Sequence, residues 1–87
     1  PKKKKKNIKL KFSYSIKLAD FYYKRSAKMM ISRIKNETNI KNSRIQQLSK
    51  TKFRVLIGPF NDIKSLKESY EKLRPMNFEN LEILNNV

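Results

Sequence analysis

Phe53-Arg54-Val55-Leu56-Ile57-Gly58-Pro59-Phe60 is the stretch that decides the fold of this 87-residue chain. The apolar residues at 53, 55 and 57 recur at every second position, which is the period of a strand with one buried face. Gly58 and Pro59 end the strand, because both residue types interrupt regular structure. The apolar positions that follow recur with a helical period, so residues 53–73 predict a strand, a turn and a helix.

The same pattern occurs thirty-nine residues earlier in the chain, where residues 14–18 alternate as a strand and residues 27–34 carry a helical apolar stripe. Seven pairs of apolar residues share this spacing: Tyr14 and Phe53, Ile16 and Val55, Leu18 and Ile57, Phe21 and Phe60, Ala27 and Leu66, Ile31 and Tyr70, Ile34 and Leu73. Such a regular offset indicates two copies of one strand–turn–helix unit.

Each copy needs a closing strand, and the candidates are residues 44–48 and 79–84. Asn61 is the predicted cap of the second helix, and Asn77 is the predicted left-handed residue after it. The predicted fold class is α+β, with the βαββαβ order of the split βαβ (ferredoxin-like, RNP-like) arrangement. Two helices would cover one face of a four-stranded antiparallel sheet and leave the other face open.

The two main strands resemble those of the SPOR domain, a module of bacterial division and wall-remodelling proteins. The third strand of that family typically reads Tyr-Arg-Val-x-Val-Gly-Pro-Phe, which residues 53–60 match closely. Its first strand, an aromatic followed by Val-Gln-Leu-Gly-x-Phe, corresponds to residues 14–21, where Lys17 replaces the glutamine and Ala19 the glycine. The further matches in the helices and in the closing motif are Ala27, Leu66, Leu73 and Asn77-Phe78. The resemblance covers residues 12–84.

This resemblance implies a function in the bacterial cell envelope. SPOR domains bind peptidoglycan glycan strands that have lost their stem peptides, which accumulate where daughter cells separate. We therefore expect a periplasmic, non-catalytic module that directs its parent protein to the division septum or wall and needs no cofactor. The chain begins with Pro1 rather than Met, so we expect an upstream domain or membrane anchor in the same protein.

Strand pleating places the residues between the core positions on the open face, where the glycan is expected to bind. The predicted glycan-binding residues are Ser15, Lys17, Arg54, Leu56, Arg44, Gln46, Glu82 and Tyr22, with Asn80 and Tyr23 beside them. Lys17 and Arg54 would donate to the lactyl carboxylate of a muramyl residue, and Leu56 would provide an apolar floor for sugar C–H groups. The alternative is that these are ordinary solvated strand residues, and a one-residue slip would exchange the two faces.

The net charge of +15 comes from residues 1–60, whereas residues 61–87 carry a net charge of −1. Residues 1–11 contain seven lysines and no acid, and they predict a flexible basic arm or linker before a domain over residues 12–87. Such asymmetry favours a polyanionic neighbour, although a lysine- and asparagine-rich composition is also typical of a biased genome. A contact between residues 2–6 and an anionic membrane is a further alternative to a plain linker.

The residue inventory argues against an enzyme and leaves one rival binding function. Cysteine and histidine are absent, which removes thiolate and imidazole chemistry. Asp20 and Asp62 stand at equivalent turns of the two copies, so capping or turn formation is the expected role of both. The rival is RNA binding, because the same architecture builds RNA-recognition modules and the charge suits them. Those modules need aromatic residues on the open face, where this sequence predicts Ser15, Lys17, Arg54 and Leu56.

Overall fold

The alternating apolar residues form a four-stranded antiparallel sheet in the computed structural model, which describes residues 12–86. The predicted arm at residues 1–11 and the last residue lie outside the described part. The elements in chain order are β1 (Tyr14–Phe21), α1 (Lys24–Thr38), β2 (Ser43–Ser49), β3 (Lys52–Phe60), α2 (Ile63–Leu73), a 3-10 turn (Arg74–Met76) and β4 (Glu82–Asn85). The strand order β2-β3-β1-β4 and the βαββαβ connection are those of the predicted fold.

The two helices pack on one face of the sheet, and the core lies between these layers. All fourteen residues of the repeated pattern belong to this core or pack against it. Ile16, Ile57 and Leu73 are completely buried, so they join the two central strands to the second helix. Burying such side chains is the main favourable term of folding, at about 1.5–3 kcal/mol each. The repeat therefore identifies the residues that hold the two layers together.

A β-bulge in β1 changes which residues face away from the helices. Lys17 pairs with Leu56 and Ala19 pairs with Val55, so β1 has one residue more than β3 over this interval. The extra residue is Leu18, which is buried in the core. Beyond it, the alternation of β1 is shifted by one position.

This shift places Asp20 on the open face of the sheet, and the role predicted for Asp20 was wrong. It lies within β1, opposite Arg54 of β3, and neither caps a helix nor forms the turn that follows the strand. The prediction assumed that the two copies of the repeat have equivalent turns, whereas β1 continues through Asp20 to Phe21.

The ends of α2 confirm one prediction and correct another. Asn77 adopts the left-handed conformation after the 3-10 turn, as predicted. The N-cap of α2 is Asp62 rather than Asn61, and its Oδ1 accepts a hydrogen bond of 2.8 Å from the backbone N–H of Ser65. The helix begins one residue later than a cap at Asn61 requires, and the capping role expected of Asp62 is confirmed.

The predicted bounds of the closing strands are close to those observed for β2 but not for β4. β2 is one residue longer at each end than residues 44–48. β4 was predicted at residues 79–84 and instead spans Glu82–Asn85. It pairs with β1 only from Tyr14 to Lys17, and the bulge that follows Lys17 interrupts a longer ladder. Phe78 and Leu81, which precede β4, pack against the core instead.

Candidate functional site on the open face of the sheet

A group of polar and charged side chains lies on the face of the sheet opposite the helices. We call it the sheet-face cluster. Strand pairing places its members in register across all four strands, and none of them belongs to the core between sheet and helices. The members are Ser15, Lys17 and Asp20 on β1, Arg54 and Leu56 on β3, Arg44 and Gln46 on β2, and Glu82 on β4.

Asp20 is the centre of this cluster. Its Oδ1 accepts a bond of 2.8 Å from Nε of Arg54, and its Oδ2 accepts a second of 3.2 Å from the same guanidinium. Nζ of Lys17 lies 3.8 Å from Oδ2 and Nζ of Lys52 lies 4.0 Å from it. The hydrogen bonds from Arg54, followed by the charges of Arg54, Lys17 and Lys52, hold the pKa of Asp20 below its usual value despite partial burial. One carboxylate therefore organises three cations.

Lys17 joins this centre to the edge strand β4. Its Nζ lies 3.3 Å from Oε1 of Glu82, the residue opposite it on β4. The Lys17 side chain is only 20% exposed, so its ammonium group is held between the carboxylates of Asp20 and Glu82. Lys17 and Arg54, the two predicted donors to a ligand carboxylate, thus already have carboxylate partners within the protein.

A second polar group lies at the other end of β1, around a completely buried serine. Oγ of Ser15 accepts a bond of 2.9 Å from Nδ2 of Asn86. The guanidinium of Arg44 reaches the same hydroxyl at 3.5 Å and the carbonyl oxygen of Gly58 at 3.4 Å. Gly58 has a φ of 131°, and a Cβ there would stand 3.0 Å from Oγ of Ser15. Glycine is therefore required for this close approach. Ser15 therefore accepts a hydrogen bond from Arg44, but it is completely buried and has no surface that a ligand could contact.

Arg44 is the exposed cation of the cluster that lacks an acidic partner. Among residues 12–86, no carboxylate lies within 4 Å of its guanidinium. Its contacts are long hydrogen bonds to a hydroxyl and a carbonyl, both neutral acceptors. An anionic group could approach Arg44 without displacing a protein carboxylate.

Leu56 lies between the two polar groups. It pairs with Lys17 on one side and with Arg44 on the other. Leu56 is 2% exposed although it is outside the core that the helices cover. Long basic side chains cover apolar surface with their methylene stems, and Lys17 and Arg44 are placed to do so here. Leu56 is thus on the predicted face, but its burial leaves almost no apolar surface for the sugar C–H groups it was predicted to contact.

The remaining predicted residues lie around the cluster at different distances from its centre. Gln46 is opposite Arg54, next to the Asp20 centre. Asn80 precedes β4 and lines a cleft of about 470 Å³ together with Lys17 and Asp20. Tyr22 follows β1, is 61% exposed, and has its ring centroid 4.8 Å from that of Tyr23. The ring contact of Tyr22 is thus with its neighbour and not with a residue of the sheet-face cluster.

Sequence reasoning missed two residues of this site, Asp20 and Asn86. The signal for Asp20 was present, since it is one of only two acidic residues between positions 12 and 60. Its orientation depends on the bulge after Lys17, which alternation alone does not reveal. Asn86 lies beyond β4 and reaches Ser15 through a contact that spans 71 residues of sequence.

The electrostatics of the cluster suit binding better than proton transfer. A glycosidase general acid needs a raised pKa, whereas the pKa of Asp20 is lowered by Arg54. Within residues 12–86 there is no group of three or more acidic side chains arranged to hold a metal ion. In the same part of the chain, neither helix has the length and apolar character needed to cross a bilayer.

Comparisons with protein-family models, curated proteins and solved structures give no significant match. The resemblance to SPOR domains therefore rests on sequence alone, chiefly that of residues 14–21 and 53–60.

Proposed function

We propose that residues 12–86 form a peptidoglycan-binding module that uses the sheet-face cluster to bind glycan strands without stem peptides. The observation that carries the proposal is the composition of this face, on which hydrogen-bonding side chains are held in fixed positions by ion pairs around Asp20. Sugar hydroxyls and N-acetyl groups need donors and acceptors in defined places, and preorganised side chains lose little entropy on binding. The resemblance of residues 14–21 and 53–60 to SPOR strands supports the same ligand.

Within this proposal, Arg44 contacts the carboxylate of the ligand. On this face Lys17 and Arg54 are paired with the carboxylates of Glu82 and Asp20, whereas Arg44 has neutral partners only. A guanidinium binds a carboxylate through paired hydrogen bonds. Lys17, Gln46 and Arg54 then donate to hydroxyl and amide oxygens. The module would act in the periplasm and direct its parent protein to the division septum or wall, without catalysing a reaction itself.

RNA binding remains the alternative from a different class, and the positive charge is the observation in its favour. RNA-recognition modules of this architecture read bases by stacking them on aromatic side chains of the two central strands. The open-face residues of β1 and β3 that the structure describes include Ser15, Lys17, Asp20, Lys52, Arg54 and Leu56, and none of these is aromatic. RNA would therefore bind through phosphate contacts alone, with weak sequence preference and strong salt dependence.

The test is co-sedimentation of the full chain with purified peptidoglycan sacculi, before and after an amidase removes the stem peptides. We expect stronger retention on the treated sacculi, and about tenfold weaker retention for Arg44→Gln because a charge-assisted contact is lost. Lys50→Gln is the matched control. It removes one positive charge from the turn after β2 and should leave retention unchanged.

A parallel titration with single-stranded RNA separates the two functions. Equal binding to sacculi and RNA that disappears as salt rises, with the same loss in both variants, would contradict the proposal. Retention that is independent of amidase treatment would reject the denuded glycan as the ligand.

A further inference from the structure

The outer surface of α1 carries a stripe of basic residues with an exposed apolar side chain at its edge. We call it the basic stripe. Its members lie on one side of a helix with 3.6 residues per turn and line one shallow groove. They are Lys24, Arg25, Lys28, Met29 and Ser32. Lys35 continues the stripe one turn further on. Met29 is 67% exposed, so this apolar side chain beside the basic residues is not covered by the rest of the domain.

The charges of this stripe are not compensated within the domain. Across residues 12–86, no acidic side chain lies within 4 Å of Lys24, Arg25 or Lys28. The acid of α1 is Glu37, which pairs at 2.9 Å with Arg33, outside the groove. Lys24 and Arg25 stand in the first turn of the helix, where positive charge is unfavourable. Helix stability therefore does not account for these residues.

The second helix shows that the stripe is not a general property of this lysine-rich chain. α2 has three lysines, but it also has two glutamates, and it begins at an acidic N-cap. By contrast, α1 has five basic residues and one acid. The net charge is thus +4 on α1 and +1 on α2.

We propose that the basic stripe binds the surface of an anionic phospholipid bilayer. Basic residues gain about 1 kcal/mol each near such a surface, and an exposed apolar side chain among them can enter the headgroup region. Tyr22 and Tyr23 directly precede α1 and are 61% and 60% exposed, and tyrosine is favoured at membrane interfaces. A thioether beside the basic residues suits lipid better than nucleic acid, because it cannot stack on bases as an aromatic ring does.

The position of α1 makes this function compatible with glycan binding. The helix packs on the sheet face opposite the sheet-face cluster. The stripe and the proposed glycan-binding face therefore point in opposite directions, and the protein can contact a membrane and a glycan strand together. The lipid proposal does not depend on the glycan proposal, because the two use different residues.

The test is binding of the full chain to vesicles of phosphatidylcholine and phosphatidylglycerol in a two-to-one mixture, with pure phosphatidylcholine vesicles as reference. The triple variant Lys24→Gln, Arg25→Gln, Lys28→Gln should bind about 10- to 100-fold more weakly to the anionic vesicles. The matched control is Lys64→Gln, Lys67→Gln, Lys72→Gln on α2. It removes the same charge and should reduce binding less than about threefold.

Met29→Gln tests the apolar contribution without a change in charge, and we expect about fivefold weaker binding. Equal losses in the two triple variants would overturn the proposal, since net charge would then be responsible. An unchanged affinity of the α1 variant would also overturn it and assign lipid binding to other lysines. A loss of RNA binding with unchanged vesicle binding would identify nucleic acid as the partner of the stripe. Sacculus binding of the same variants reports separately on the glycan function.

Discussion

Replacement of Asp20 by asparagine tests whether one internal carboxylate organises the open face of the sheet. The substitution keeps the shape of the side chain and one acceptor, but it removes the charge that Arg54, Lys17 and Lys52 surround. A hydrogen bond to a charged group contributes about 1.5–3 kcal/mol, and an exposed ion pair contributes less than about 1 kcal/mol. The Asp20 and Arg54 side chains are 22% and 21% exposed, which is between these cases. We expect Asp20→Asn to lower the free energy of unfolding by about 1–2 kcal/mol.

The same substitution should weaken binding of the glycan. Without Asp20, Arg54 has no carboxylate at its former distance and Lys17 keeps only Glu82. Both side chains must then be ordered when the ligand binds, and we expect about threefold to fivefold weaker retention on amidase-treated sacculi. A parallel loss of stability and binding is characteristic of a residue that preorganises the binding surface.

The assays are urea unfolding followed by circular dichroism, and sacculus co-sedimentation at constant salt. The control is Glu37→Gln, which removes one carboxylate from the exposed pair with Arg33 and should cost no more than about 0.5 kcal/mol. An Asp20→Asn protein as stable as the wild type, or no more destabilised than Glu37→Gln, would refute the central role of Asp20. Stronger sacculus binding would show that Asp20 instead competes with the ligand for Arg54 and Lys17.

Three further predictions concern the framework of the site. Gly58→Ala should destabilise the protein by about 2–4 kcal/mol in urea unfolding, because the φ of 131° is unfavourable for alanine and the added Cβ would lie 3.0 Å from Oγ of Ser15. A variant as stable as the wild type would show that the backbone can relax. Asp62→Ala should lower the melting temperature, whereas Asn61→Ala should not, because only Asp62 caps α2. Equal changes in melting temperature for the two variants would contradict the assignment of the cap to Asp62. The pKa of Asp20 is lowered by Arg54 and that of Asp62 by the Ser65 N–H, so their stabilising contributions are complete above about pH 4 and are lost as the pH falls below it. Unfolding experiments at neutral and acid pH should therefore show a smaller loss of stability for Asp20→Asn than for the wild type.

Sequence patterns located some residues of the candidate site and not others. Alternation placed Lys17 and Arg54 on one face, since each lies between core residues of its own strand. Alternation did not indicate that Asp20 joins them, because a bulge transfers it to that face. The contacts of Arg44 depend on the alignment of β2 with β3, which no local pattern specifies.

The sequence by itself determined the core, the order of elements and the strand–turn–helix repeat. These features follow from the periodic burial of apolar residues, and each element expresses this period locally. Only the tertiary structure decided which charges are available to a ligand. Lys17 and Arg54 are ion-paired with Glu82 and Asp20. Arg44 has no such partner and donates to a buried serine, Ser15, which also accepts a hydrogen bond from Asn86. Ion pairing depends on distances of a few ångströms between strands that are far apart in sequence, so it is fixed by register and bulges and not by composition.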